Sequence, residues 1–313
     1  MKKLALAVIG FILLYCAYWF IASRQIESRF SEKLAAQTGY DISHAPIKIS
    51  GFPLAFNSKL GPFSITARAP KSASATAQNL SLSGKAYMPL SWVARHHGPA
   101  SLSIPMGDSL WSYDTQTETA IIDAGVSALG GLSRLNVTAS AIAVTPTSER
   151  ALPVRSIEKL LYDFRLKGKN AAYTFDAKAL AFDPDALGQY GRAFGNQIEQ
   201  AKGTMAVSDY GLANAHYTSE DFTLTWGPAQ FGGGFDLTAS AAGHSGVIDL
   251  IVADEAALLQ TLVDGGIIGA FEAMGASLVI SGMPKDERGR HLKLTVIDSR
   301  VSLGPVPLGK LPF

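Results

Sequence analysis

The sequence predicts a mainly β protein: a curved or elongated antiparallel β domain with a few packed helices, preceded by one N-terminal transmembrane helix. Three observations point there. Apolar residues alternate with polar or small ones in many short runs, one long uncharged run opens the chain, and charged residues make up 17%, against about 25% in ordinary soluble chains. A length of 313 residues is enough to bury a core without disulfides or metals. The net charge of +1, with Lys and Arg spread along the chain, leaves no basic footprint, so no nucleic-acid partner is expected. The one cysteine, Cys16, lies in the N-terminal apolar run; the thiol-free remainder fits an oxidising compartment and rules out a disulfide framework.

The first element is the anchor, residues 1–23. Lys2 and Lys3 precede the uncharged run Leu4–Ile21, which as a helix spans about 27 Å, close to a hydrocarbon core. The lysines hold the amino terminus in the cytoplasm and send the bulk of the chain across. Tyr15, Tyr18, Trp19 and Phe20 crowd the far end, where amphipathic aromatics favour headgroups. A cleaved signal peptide would have a shorter apolar region ending in small residues. A lipid attached at Cys16 would need small residues before it, where Leu14 and Tyr15 stand. A retained anchor is the expectation, with those two as alternatives.

Residues 24–39 predict an amphipathic stalk helix, because Ile26, Phe30 and Leu34 recur every four residues and Gly39 follows as a stop. Its apolar stripe is narrow and its polar face is not Lys-rich, which favours docking on the β domain over lying along a membrane.

Residues 40–313 predict the β domain. The period falls to two in Phe63-Ile65-Ala67, Leu80-Leu82, Leu135-Val137-Ala139, Tyr162-Phe164-Leu166, Phe222-Leu224-Trp226 and Leu292-Leu294-Val296. Such alternation means one buried and one wetter face, hence antiparallel sheet. Gly61-Pro62, Gly98-Pro99, Gly227-Pro228 and Gly304-Pro305 predict turns, strand starts or edges, since proline has no N–H for a ladder. A weak repeat is visible: the strands 177–182 and 248–253 each run into an acidic cap, Asp183 or Asp254, and a helix. The first helix would present Leu187, Tyr190, Phe194 and Ile198, the second Leu258, Leu259 and Leu262.

Several stretches carry a resemblance: Ser50-Gly51-Phe52-Pro53-Leu54-Ala55-Phe56, the run Leu224-Thr225-Trp226-Gly227-Pro228 followed by residues 232–237, and Leu303-Gly304-Pro305-Val306-Pro307-Leu308-Gly309. With the N-terminal anchor they resemble an uncharacterised Gram-negative envelope family, domain of unknown function 2125. The resemblance implies a single-pass inner-membrane protein with its bulk in the periplasm, and it brings no catalytic residues. A looser likeness of architecture links the chain to AsmA-like envelope proteins, which are associated with lipid movement.

Motifs for chemistry are weak. Gly243-His244-Ser245-Gly246 lacks the second glycine of a nucleophile elbow, Val247 standing in its place; a hairpin turn explains it better. Gly232-Gly233-Gly234 reads as a bend or bulge, without the ending of a phosphate loop. His96 and His97 would point to opposite faces of a strand, and His44, His216, His244 and His291 have no ligand spacing, so no metal and no cofactor are expected. Asp249, Asp254, Glu255, Asp183 and Asp185 could pair as acid and base, but capping already explains three of the five.

The expected function is therefore non-catalytic: an inner-membrane-anchored periplasmic envelope protein, not an enzyme, binding lipid or another apolar ligand. Leu187, Phe194, Leu258 and Leu262 are the candidate lining residues, and phospholipid or envelope proteins the candidate partners. A scaffold working through protein partners is the alternative, a periplasmic hydrolase the remote one. Phe52, Phe63, Leu82, Val137, Phe164, Phe175, Phe222, Leu224, Leu250, Leu292 and Leu294 are the expected core. Alternation serves a filled core and an open groove equally, the filled core being the plainer reading.

Overall fold

The computed structural model describes residues 2–36, 39–68, 73–106, 109–126, 132–149 and 151–311, with the backbone alone for residues 2–10, 33, 35, 89, 106, 126 and 132. One helix, α1 (Lys2–Ala35), is followed by β1 (Tyr40–Ser43), β2 (Ala55–Ala67), β3 (Ser74–Lys85), β4 (Met88–Met106), β5 (Ser109–Val126), β6 (Leu132–Pro146), β7 (Val154–Lys167) and β8 (Asn170–Phe182). Then come α2 (Pro184–Phe194), β9 (Gln197–Ser208), β10 (His216–Trp226), β11 (Ala229–Ser240) and β12 (Gly243–Val252). The chain ends in α3 (Glu255–Asp264), α4 (Ala270–Ser281), β13 (Lys285–Asp286), β14 (Gly289–Ile297), β15 (Arg300–Leu303) and β16 (Val306–Lys310).

All 16 strands form one antiparallel sheet in sequence order, with β13 pairing only β14 and the two ends, β1 and β16, left unjoined. Cross-strand register carries the sequence alternation sideways. Leu82, Ala94, Ile122, Val137, Tyr162 and Phe175 are successive partners from β3 to β8, and beyond Gly203 the row continues through Phe222, Gly233, Leu250 and Leu292. One residue along, the partners are Ser83, Val93, Asp123, Asn136, Asp163 and Thr174. Opposed residues share a face, so the sheet has one apolar and one polar face across its width.

Little covers the apolar face. The accessible surface is 18982 Å², about half again the ~12,600 Å² expected of a compact monomer of this mass. This corrects the expected core. Phe164 is buried, but Phe52 and Phe175 are exposed, and Phe63, Leu82, Val137, Phe222, Leu224, Leu250, Leu292 and Leu294 are half-buried. The physical reason is that a single sheet layer shields only the flanks of its side chains; full burial needs a second layer.

Helix α1 supplies part of one. Trp19 is buried with Phe56 and Ala86, packed by Ala22, Ile26 and Trp92, and Phe30 lies against the Trp92 ring. Glu27 accepts a hydrogen bond from the Ile49 amide, so the stretch read as a stalk is docked on β2–β4. Trp19 therefore packs in the protein, where its sequence position suggested headgroups. Among the described residues no helix is long and apolar enough to cross a membrane; the side chains Leu4 to Gly10 of the expected anchor lie outside them.

Two of the Gly-Pro pairs depart from expectation. Gly227-Pro228 and Gly304-Pro305 join β10 to β11 and β15 to β16, but Gly61-Pro62 and Gly98-Pro99 lie inside β2 and β4, where the register shifts. A bulge leaves an amide unpaired, so proline fits within a strand there. The Gly232-Gly233-Gly234 run holds unbroken register with β12, while on its other side the register with β10 shifts between Ser219 and Phe222, so it lies at a bulge and not at a bend.

Candidate functional site

The uncovered part of the apolar face lies between α1 over β2–β4 and the helices at the far end of β8–β12. Its middle is built on aromatic rings set beside glycines. A Cβ on Gly203 would lie 3.1 Å from the Phe175 ring and 3.2 Å from Phe222, and one on Gly233 would meet the Phe222 ring at 3.2 Å. Glycine lets each ring lie along the sheet and leaves shallow space above. Burial raises the pKa of the Tyr173 and Tyr162 hydroxyls on this face, which stay neutral at ordinary pH. Such a surface offers dispersion contact and water exclusion to an apolar chain.

The four residues expected to line a ligand site stand at one end of this face. The Phe194 ring is buried 5.0 Å from that of Trp226, whose indole N–H donates to Gly195 O at 2.9 Å. Leu187, Leu258 and Leu262 are half-buried. Helices α2 and α3 touch at Ala193 and Gly265, where a Cβ on the glycine would come within 2.4 Å of the alanine side chain. The repeat thus becomes two adjoining helices: Asp183 caps α2 by accepting from the Asp185 amide, and Asp254 caps α3 from Ala257. Ile198, read as part of the first helix, lies in β9, because α2 ends at Phe194 before Gly195. Val137, Phe175, Phe222 and Leu250 of the expected core lie on this face. That no layer covers them carries no signal in local pattern.

The polar residues singled out for chemistry are dispersed. Asp183 also pairs with Arg155. Glu255 binds Arg290 and Lys285 and is lowered to about 2 by its own amide and these cations. Ser245 accepts from the Asp298 amide and Ser299 from that of His244, tying β12 to the β14–β15 turn. His96 is buried and His97 exposed, on opposite faces. On the polar face, His291 bridges Asp249 at 2.9 Å and Asp286 at 3.1 Å through its two ring nitrogens.

That bridge predicts a pH dependence. Hydrogen bonds to Asp249 and Asp286 raise the His291 pKa above its ordinary 6.5. Only the imidazolium donates from both nitrogens, so the stabilisation is complete below pH 6.5 and fades as pH rises through the raised value. Melting temperature should fall over that window in the parent protein, and the fall should shrink in His291→Gln; an identical pH profile in both would remove His291 as its source.

Fold and site together define a class: a single-layer, open antiparallel sheet with an apolar face largely free and an N-terminal helix docked along its first strands. The chain belongs to the family of uncharacterized proteins conserved in bacteria, DUF2125, whose model matches residues 19–312. No curated protein and no solved structure matches it.

Proposed function

We propose that this is an inner-membrane-anchored envelope protein whose bulk lies in the periplasm and whose sheet binds lipid through its apolar face, without catalysis. The observation that carries the reading is the apolar row running across the sheet from β3 to β14 with no second layer over its centre. An acyl chain laid there would cover half-exposed side chains, each gaining about 25 cal/mol per Å² removed from water. Leu4–Ile21 provides the anchor, with Lys2 and Lys3 on the cytoplasmic side.

Native mass spectrometry after gentle detergent extraction tests this. Phospholipid should accompany the parent protein and be clearly reduced in Phe175→Ser and Phe222→Ser, with melting temperatures near that of the parent because both side chains already meet solvent. Parent protein free of lipid under conditions that preserve its fold would sink the reading.

A second reading, a scaffold acting through a protein partner, is favoured by α4. Phe271, Met274 and Leu278 form an outward stripe at helical spacing, with Phe271 82% exposed, a pattern suited to a hydrophobic groove on another protein. A reproducible protein companion without lipid would favour it.

A further inference from the structure

We infer that the end of the sheet nearest the start of α1 is itself a membrane-docking surface, seated in the headgroup layer of an anionic bilayer. This rests on the anchor reading above and adds a lipid-binding surface to it.

The first argument is length. Tyr15 Oη donates to Pro53 O at 2.7 Å, Tyr18 Oη to Ala86 O at 3.0 Å and Trp19 Nε1 to Ala55 O at 3.2 Å. Among the described side chains the helix first meets the rim of the sheet at Tyr15, with Phe11 to Leu14 exposed before it; the part of the apolar run that precedes Tyr15 is Leu4 to Leu14. That stretch is about 16 Å long, roughly half of a ~30 Å hydrocarbon core. Leu4–Ile21 can span only if the rim turns beside Tyr15 to Ile21 descend with it. The three hydrogen bonds suit that depth, because each ties a side-chain donor to a backbone carbonyl that would otherwise lose water.

The second argument is what the rim presents. Strand ends gather there: the 51–54 turn before β2, the β3–β4 and β7–β8 turns, and the β9–β10 connection. Leu54 and Tyr87 are each 68% exposed, Phe52, Met88 and Leu90 are exposed near them in sequence, and Tyr210 and Leu212 are exposed in the β9–β10 connection farther along the same rim. Large apolar side chains on exposed turns of one edge are unusual in a monomer, whereas aromatics at headgroup depth are ordinary. Charge agrees. Lys85 and Tyr87 form a cation–π pair at 5.7 Å, and Lys167 and Lys169 flank Gly168 in the β7–β8 turn; neither tight turn has a carboxylate. Lysines next to exposed aromatics fit anionic headgroups. The rim's acidic residues are Asp209, next to Tyr210 in the β9–β10 connection, and Asp298 in the β14–β15 turn, both away from the two lysine-bearing turns.

The experiment uses the full chain with Cys16→Ser, reconstituted in phosphatidylethanolamine–phosphatidylglycerol vesicles. Single cysteines replace Phe11, Tyr87, Leu212 or Met274, each carrying a fluorophore, and lipids with nitroxides at known depths act as quenchers. Circular dichroism checks that each variant is folded. Labels at positions 87 and 212 should be quenched by headgroup-depth nitroxides at least about threefold more than at position 274 on the far helix, and position 11 by deep ones. Substituting Lys85, Lys167 and Lys169 by Glu, or omitting phosphatidylglycerol, should reduce quenching at 87 and 212. If position 11 is quenched while 87 and 212 match 274, the rim stands clear of the membrane and the inference fails with the anchor intact. If none of the four is quenched, both fail. Quenching at 87 and 212 without position 11 would keep the docking surface and remove the span.

Discussion

Phe56→Ala is expected to cost about 3 to 5 kcal/mol and to loosen α1 from the sheet, the range for removing a fully buried aromatic that leaves a cavity. Phe56 is 0% exposed, and its ring lies stacked 5.6 Å from that of Trp19. Trp19 also meets Phe52 and Phe20 edge-on, so one vacancy under it frees a cluster of rings. Besides this cluster, the hydrogen bonds of Tyr15, Tyr18 and Trp19 to sheet-end carbonyls hold the upper half of α1. Thermal unfolding followed by tryptophan fluorescence gives the readout, and Tyr87→Ala, an exposed rim position, serves as a control that should stay within about 0.5 kcal/mol of the parent. Equal small losses in both variants would mean that α1 docks by some other contact.

Gly233→Ala should be more damaging, beyond about 4 kcal/mol, because two penalties coincide at one position. The backbone φ is +139°, and the new Cβ would fall 1.9 Å from Asp249 O on β12. The neighbouring backbone cannot yield without breaking the β11–β12 ladder. Gly168→Ala isolates the first penalty: φ is +63° with nothing within 4 Å of the added carbon, so about 1 to 2 kcal/mol of left-handed strain is all it should show. Amide hydrogen exchange across Phe231–Thr238 should rise sharply in the first variant and stay unchanged in the second. Protected amides in a folded Gly233→Ala protein would show that the strands can separate cheaply there.

Much of the fold could be read from the sequence because the responsible signals are local. Period-two alternation placed strands at Phe63–Ala67, Tyr162–Leu166 and Leu292–Val296, and acidic caps at Asp183 and Asp254 marked the starts of α2 and α3. What was not legible depended on distant or missing neighbours. Phe175 and Phe164 sit in equally apolar runs, yet one is exposed and the other packs in a cluster with Ala171, Val207 and Ala215. What distinguishes them is the β9–β10 connection, whose Tyr210 and Ala215 pack against Phe164. The bulges at Gly61 and Gly98 escaped for a related reason: a Gly-Pro pair signals a break in pairing, and whether the chain turns there or continues depends on the partner strand. Of the candidate site, the helices near Phe194 and Leu262 are legible in the sequence; the uncovered face beside them is one of two readings the alternation allows, and not the plainer one.

The strand order has a kinetic consequence. Since each strand up to β12 pairs with the next in sequence, and only the β12–β14 ladder closes a long connection, the one that carries α3 and α4, most of the entropy of chain closure is met in small instalments. Such a sheet behaves as a nearly one-dimensional array, with each hairpin adding to an existing edge. Opening should begin at the terminal strands and run inward. The last of them, β16, is exposed along all its residues, and β15 beside it spans only Arg300–Leu303. The carboxyl-terminal edge is therefore the place where the sheet frays first, while β4 to β8, long strands paired on both sides, melt last.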